Sequence, residues 1–228
     1  MEELLSSRIN LNGIGMTSQR TRERLLGRLV EQGIVNMQVL DVMRSTPRHI
    51  FLDEALSHRA YEDVALPIGH GQTISQPYVV ARMTEIATNS GRLDSVLEIG
   101  TGCGYQTAVL SRIAKKVYTI ERIKPLLERA KKNLKLLGIR NVEYRHEDGS
   151  LGWEEKAPFD AIITTAAPQN IPEELYQQLS PEGGSLVIPV GADNQQDLKH
   201  IVRSGQKIHT ENLGSVRFVP LLTGQVQT

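Results

Sequence analysis

The feature that most constrains this chain is a short apolar run followed at once by closely spaced glycines. Residues 96–99 read Val-Leu-Glu-Ile, which is typical of a buried strand, and glycine then occupies positions 100, 102 and 104. Residues 106–114 have the pattern of a helix. Glycines in such a turn adopt backbone angles that other residues avoid, and they let a ligand approach the main chain closely. The segment therefore predicts a nucleotide-type cofactor site.

The spacing of the glycines narrows the choice of cofactor. In the dinucleotide fingerprint G-x-G-x-x-G/A, the third glycine would fall on Tyr105 counting from Gly100, or on Thr107 counting from Gly102. Neither position fits. The pattern that starts at Glu98 is E-x-G-x-G-x-G, which suits S-adenosylmethionine, a cofactor that needs backbone contacts but has no pyrophosphate.

Composition excludes several classes of protein. The 228 residues include 26 basic and 26 acidic side chains, so the formal net charge of +0 does not favour a nucleic-acid partner. A single cysteine rules out an intramolecular disulfide and fits a reducing compartment. No apolar run approaches the roughly 20 residues that span a bilayer, and the first residues do not resemble a signal peptide. We expect a cytoplasmic monomer with no membrane partner.

The alternation of strand and helix patterns along the chain predicts an α/β fold with a doubly wound, mostly parallel sheet. Residues 1–16 are weakly patterned and are interpreted as a flexible leader before one domain over 17–228. Within it we expect a helical N-terminal part (17–94), a cofactor-binding core (95–195) and C-terminal strands (196–228). The predicted helices cover 17–32, 36–44, 77–89 and 124–137; the strands cover 95–99, 116–120, 142–145, 159–164 and 184–190; residues 67–77 are expected to be irregular; and antiparallel strands are expected at 198–204, 207–213 and 215–222.

Carboxylates follow two of the predicted strands, at the edge where open α/β sheets bind ligands. Glu121 ends the strand after the glycine turn, where it would accept hydrogen bonds from both ribose hydroxyls; the alternatives are a solvated surface glutamate and a charge at a helix N-terminus. Asp148 and Gly149 follow the next strand. The aspartate would accept a hydrogen bond from the adenine amino group, although Asp-Gly is also a common turn.

The segment before the helix at Pro77 is the candidate for substrate binding. Hydroxyl groups and backbone N–H groups meet here at a helix N-terminus, which attracts anions without a charged side chain. The alternative is that Ser75 only caps the helix. Cys103 is not expected to be a nucleophile, since no histidine stands beside it in sequence. The scattered histidines lack the spacing of metal ligands, so no metal is expected.

These motifs together resemble the protein-L-isoaspartate(D-aspartate) O-methyltransferase family, over nearly everything from residue 16 to residue 224. The glycine motif alone marks only the methyltransferase superfamily, whereas Thr-Ile-Ser-Gln-Pro and Arg-Phe-Val-Pro-Leu are much more specific. Cys103 stands where serine is common, and Pro-Glu-Gly-Gly replaces the plainer Pro-Gly-Gly. The motifs that carry the resemblance lie at residues 71–77, 97–107, 159–163, 181–184 and 216–221.

The resemblance implies a repair enzyme with a Rossmann-like fold. Such an enzyme transfers a methyl group from S-adenosylmethionine to the α-carboxyl of L-isoaspartyl and D-aspartyl residues in damaged peptides, leaving S-adenosylhomocysteine; the ester then closes to a succinimide that reopens to aspartate. By resemblance, Ser75 is the catalytic position. The cofactor residues implied are Glu98, Gly100, Thr101, Gly102, Cys103, Gly104, Glu121, Asp148 and Gly149; the peptide-binding residues implied are Thr73, Ile74, Ser75, Gln76, Val216 and Phe218.

Two other functions remain open on sequence alone. A methyltransferase of the same fold could act on a small molecule or a nucleic acid, although the neutral charge and the absence of an Asn/Asp-Pro-Pro-Tyr/Phe motif argue against it. A domain that binds S-adenosylmethionine without catalysis is the other alternative. A turnover assay distinguishes this non-catalytic domain from either kind of methyltransferase.

Overall fold

A computed structural model describes residues 13–89, 91, 93–192 and 195–228. In that part of the chain the helices are α1 Gln19–Glu31, α2 Met37–Ser45, α3 Glu54–Ser57, α4 Pro77–Thr88, α5 Tyr105–Ser111, α6 Lys124–Leu136 and α7 Glu173–Gln177. The strands are β1 Leu66–Gly69, β2 Gln72–Ile74, β3 Ser95–Ile99, β4 Lys116–Glu121, β5 Val142–His146, β6 Ala161–Thr164, β7 Glu182–Ala192, β8 Gln195–Ser204 and β9 Lys207–Val216. Residues 1–12 of the predicted leader lie outside the described residues, and Gly15–Thr17 forms a 3-10 turn.

The central sheet confirms the predicted fold class. Its strand order is β5-β4-β3-β6-β7-β8-β9, with parallel pairing from β5 through β7 and antiparallel pairing of β8 and β9 at one edge. The chain runs outward from β3 to β4 and β5, then returns to place β6 on the other side of β3. The strand order therefore reverses between β3 and β6, which is where open α/β sheets bind ligands.

Both faces of the sheet are covered, which explains the continuous apolar runs in its central strands. Val96 and Ile163 pack on one face with Met83 of α4 and Leu110 of α5. The alternating residues of the same strands pack on the other face with Leu175 of α7. Because both faces are buried, the edge formed by the carboxyl ends of the strands is left for a ligand.

The predicted elements are largely present, with ends shifted by up to three residues. Pro77 begins α4 as expected. The predicted helix from residue 36 also forms, and Asn36 caps it by accepting a hydrogen bond from the Val39 N–H at 3.2 Å. In the described chain no helix is long and apolar enough to cross a membrane.

Two predictions were wrong. Residues 66–74 form an antiparallel hairpin of β1 and β2, not an irregular segment; Gly69, His70 and Gly71 all have positive φ and make its tight turn. At the other end of the chain, β9 continues through Gly214, which lies at a one-residue bulge opposite Leu198 and not at a turn. The strand predicted at 215–222 is therefore the end of β9 followed by non-strand chain.

Candidate active site

A cleft lies at the carboxyl ends of β3, β4 and β6, and its walls come from three distant parts of the sequence. It encloses about 820 Å³, including the part open to solvent. The first wall is the end of the β1–β2 hairpin, the second is the glycine turn with the ends of β4 and β6, and the third is a C-terminal segment. Its lining residues include Gln72, Thr73, Ile74, Ser75, Gly100, Thr101, Gly102, Cys103, Glu121, Gly149, Thr165, Ala166, Val219, Pro220, Leu221 and Leu222.

The second wall, formed by the glycine turn after β3, is the floor of the cleft. Gly100 donates its N–H to the Ile120 carbonyl at 2.8 Å, and Gly100, Gly102 and Gly104 all have positive φ. A Cβ on Gly100 would overlap the hydroxyl of Thr165. Gly104 is not part of the cleft wall: its α-carbon packs against Ala130 of α6, so close helix packing is what it needs.

Glu121 stands at the end of β4 and faces the cleft. It is 6% exposed, so the solvated-surface alternative is wrong. Its Oε2 accepts the Gly102 N–H at 2.8 Å, and its Oε1 accepts the Ile123 N–H at 2.9 Å. Burial raises the pKa of this carboxyl, while these backbone N–H groups act in the opposite direction. Since each carboxylate oxygen accepts more than one hydrogen bond, Glu121 retains capacity to bind a diol.

Glu98 lies beneath the floor instead of in the cleft wall. It is fully buried, and its Oε2 accepts hydrogen bonds from the hydroxyls of Thr107 at 2.5 Å and Thr119 at 2.6 Å. Desolvation raises the pKa of Glu98 to about 8. The Thr119 hydroxyl is in turn 2.7 Å from that of Thr101, which does line the cleft. Glu98 therefore supports the glycine turn through threonines.

Asp148 and Gly149 have different positions relative to the cleft. Gly149 lines it and packs so tightly against Ile99 that a Cβ would overlap that side chain. Asp148 lies just outside the wall and accepts hydrogen bonds from Ser150 N at 2.9 Å and from Gly224 N at 2.7 Å. Desolvation would raise the pKa of Asp148, but these hydrogen bonds outweigh it and lower the pKa.

Ser75 lies in the cleft wall, between the end of β2 and the start of α4. The N-cap residue of α4 is Gln76, and no side-chain capping bond forms there, so Ser75 does not cap the helix. The helix N-terminus is also less open to an anion than the sequence suggested. Pro77 has no N–H, and Tyr78 donates its N–H to Asp63 Oδ1 at 2.8 Å. This wall therefore offers an anion the hydroxyl of Ser75 and the polar side chains of Gln72 and Thr73.

Cys103 lines the cleft as a buried thiol. Burial raises its pKa, which keeps the sulfur protonated and weakly nucleophilic. Among the described residues, no three His, Cys, Asp or Glu side chains group closely enough to hold a metal ion. The site thus offers hydrogen-bond donors, one buried carboxylate and no activated nucleophile.

In the C-terminal segment, the residues predicted to bind the peptide lie next to the residues that line the cleft. Val216 ends β9, and neither it nor Phe218 lines the cleft, nor does Gln76 on the opposite side. The wall is formed by residues 219–222, which pair with Ala167 just beyond β6: Ala167 N donates to the Val219 carbonyl and Leu221 N donates to the Ala167 carbonyl, each at 2.8 Å. Nothing local in the sequence places this segment beside β6.

Comparison with known proteins identifies the family. A sequence model of the protein-L-isoaspartate(D-aspartate) O-methyltransferase family matches residues 20–226, which is nearly the whole chain. The chain belongs to this family.

Relatives and solved structures support the assignment over the full length. A protein-L-isoaspartate O-methyltransferase from Cellvibrio japonicus is 58% identical over 218 residues, which is 94% of this chain and 96% of the relative. One from Pseudomonas fluorescens is 60% identical over 209 residues, covering 92% of this chain and 99% of the relative.

The fold is similar to a crystal structure of a putative family member from Plasmodium falciparum in complex with S-adenosyl-L-homocysteine. The TM-score is 0.73 and the identity is 28%, over 88% of this chain and 98% of that one. A second structure, titled protein-L-isoaspartate O-methyltransferase, has a TM-score of 0.77 and 29% identity, over 87% of this chain and 65% of that one.

Proposed function

We propose that this enzyme transfers a methyl group from S-adenosylmethionine to the α-carboxyl of L-isoaspartyl and D-aspartyl residues in damaged proteins. The observation that carries the proposal is that one cleft joins the glycine turn and Glu121 with Ser75 and the C-terminal segment. In a chain of this family, that arrangement supports a cofactor subsite and a peptide subsite within reach of each other.

The residues on the floor of the cleft fit the cofactor. Gly100 and Gly102 present main chain directly to the cleft, so the amino-acid end of the cofactor would contact backbone at this point. Glu121 would accept the two ribose hydroxyls, and Gly149, which lines the cleft, would lie against the adenine ring. S-adenosylmethionine supplies the methyl group and becomes S-adenosylhomocysteine.

The acceptor carboxylate needs no general base, because it is already ionised at neutral pH. Its oxygen forms the new bond to the methyl carbon, and the electron pair of the broken bond stays on sulfur. The enzyme must desolvate this carboxylate and align it with the methyl group. The Ser75 hydroxyl would donate one hydrogen bond to it. The site adds no competing nucleophile, since burial keeps the Cys103 thiol protonated.

Peptides of varied sequence would be held through their main chain. Residues 219–222 form an extended wall that already pairs with Ala167 on one side. An extended substrate lying along such a segment would be recognised by backbone contacts, which tolerate different side chains. The methyl ester that forms would then close to a succinimide and reopen to aspartate.

Matched peptides test the proposal. We expect methyl transfer to a peptide containing isoaspartate and none to the same peptide containing aspartate, measured with radiolabelled cofactor. Equal rates on both peptides, or no rate on either, would contradict it. That the enzyme works as a monomer in the cytoplasm stays a prediction.

A further inference from the structure

After β9 the chain leaves the sheet and returns to the cleft. Strand β9 is the edge strand, and it runs parallel to β6 and β7, so it ends at the same edge of the sheet as the cleft. The segment that follows must therefore pass β8 and β7 to reach Ala167, which lies just beyond β6. Main-chain pairing with β8 ends at Val216, so something else must direct the first part of this crossing.

The side chain of Gln196 makes the contact that follows the last main-chain pair. Its Oε1 accepts the Phe218 N–H at 2.7 Å, and its Nε2 donates to the Phe218 carbonyl at 3.1 Å. Gln196 is 3% exposed, so its amide is buried, whereas Phe218 is half-buried. A primary amide presents one donor and one acceptor, as a peptide group does, so this side chain extends the ladder of β8 by one residue.

We propose that Gln196 is a positioning residue for peptide binding: its amide clamp on Phe218 sets the path of residues 219–222 along the cleft. Gln196 touches neither the cleft nor the reacting atoms and acts only through this segment. The inference rests on the proposed function in one respect, that the ligand along residues 219–222 is a peptide.

The chemistry of the clamp explains why other residues would not replace glutamine. Glutamate at this position would keep an acceptor for the Phe218 N–H but would oppose the Phe218 carbonyl with a second acceptor. Methionine has similar length and would remove both hydrogen bonds without leaving a large cavity. Without these bonds, the half-buried N–H and carbonyl of Phe218 lose their partners, which favours a different path for the segment.

The test compares Gln196→Met with Gln195→Met, its matched control. Gln195 is the same residue type one position earlier in β8 and is exposed. At saturating cofactor, we expect Gln196→Met to raise the KM for an isoaspartyl peptide about tenfold, and Gln195→Met to leave it unchanged. The Kd for S-adenosylhomocysteine, measured by calorimetry, should stay within threefold for both variants.

Hydrogen exchange tests the clamp without any assay of activity. In Gln196→Met, a fragment covering residues 217–222 should exchange faster than in the wild type, and the strands β3 to β6 should not. Unchanged exchange in this fragment, a peptide KM within threefold of wild type, or equal losses of peptide and cofactor binding would each overturn the inference.

A wild-type enzyme inactive on both matched peptides would overturn the proposed function instead, leaving the exchange result to decide the clamp. If Gln196→Met does not fold, Gln196→Glu takes its place in both measurements.

Discussion

The two sides of the cleft are built in different ways. The side that we propose for the cofactor consists of chain segments at the ends of strands of one parallel sheet: the glycine turn after β3, Glu121 at the end of β4 and Gly149 after β5. The peptide side is assembled from a hairpin before the sheet and a segment after it, residues 72–75 and 219–222. A local motif can therefore specify the cofactor side, whereas the peptide side depends on contacts between distant parts of the chain.

This difference predicts that the two sides can be damaged separately. Changes on the cofactor side should alter cofactor affinity, and changes on the peptide side should alter methyl transfer while the cofactor still binds.

Glu121→Ala should have the largest effect on cofactor affinity. A buried carboxylate that accepts two hydroxyl groups contributes about 2–4 kcal/mol, so the Kd for S-adenosylmethionine should rise roughly 30- to 1000-fold. Calorimetry measures the change. The control is Glu128→Ala, an exposed glutamate on α6 that pairs with Lys131. An unchanged Kd in the Glu121 variant would remove this residue from the cofactor site.

Ser75→Ala should affect the other side alone. Loss of one hydrogen bond to a charged group should lower turnover roughly 10- to 1000-fold, with little change in cofactor affinity. Since Ser75 does not cap α4, the melting temperature should also change little. Ser57→Ala is the control, because the Ser57 hydroxyl donates to the carbonyl of Glu54 in α3 and does not line the cleft. Wild-type turnover in Ser75→Ala would contradict a catalytic role.

Glu98→Gln should change how stability depends on pH. The folded chain holds the Glu98 proton up to a pKa of about 8, whereas the unfolded chain releases it near the ordinary glutamate pKa of 4.5. Between these values the folded state binds more protons, so this group makes stability fall as pH rises, by up to about 1.4 kcal/mol per pH unit.

The glutamine variant should therefore show a shallower fall in unfolding free energy than the wild type across this range. Denaturant titrations at several pH values measure the difference, with exposed Glu128→Gln as the control. Parallel curves for the Glu98 variant and the wild type would show that Glu98 is ionised in the folded protein.

Cys103→Ser should have the smallest effect, within a few-fold on turnover. The position requires a small side chain and a main-chain donor, and burial keeps the thiol protonated. Initial rates with an isoaspartyl peptide measure this. Loss of turnover with intact cofactor affinity would instead indicate a nucleophilic cysteine.

The same contrast explains which parts of the fold and of the cleft the sequence predicts. The strand, the glycine turn and Glu121 were predictable because each is local, and the parallel order of β3, β4 and β5 brings them to one edge. The hairpin of β1 and β2 was not recognised, since Pro67 and the glycines resemble a loop. The Arg-Phe-Val-Pro-Leu motif marks most of residues 219–222 by resemblance, but their path is not predictable locally, because it depends on Ala167 and Gln196, which lie 20 or more residues away in sequence.

The most direct test of this account is calorimetry of S-adenosylhomocysteine binding to wild type, Ser75→Ala and Glu121→Ala, measured alongside turnover on one isoaspartyl peptide. We expect Ser75→Ala to bind the cofactor product with wild-type affinity yet lose turnover, and Glu121→Ala to lose affinity roughly 30-fold or more. Equal losses of affinity in the two variants would show that the cofactor side and the peptide side are not separable, and would contradict the account.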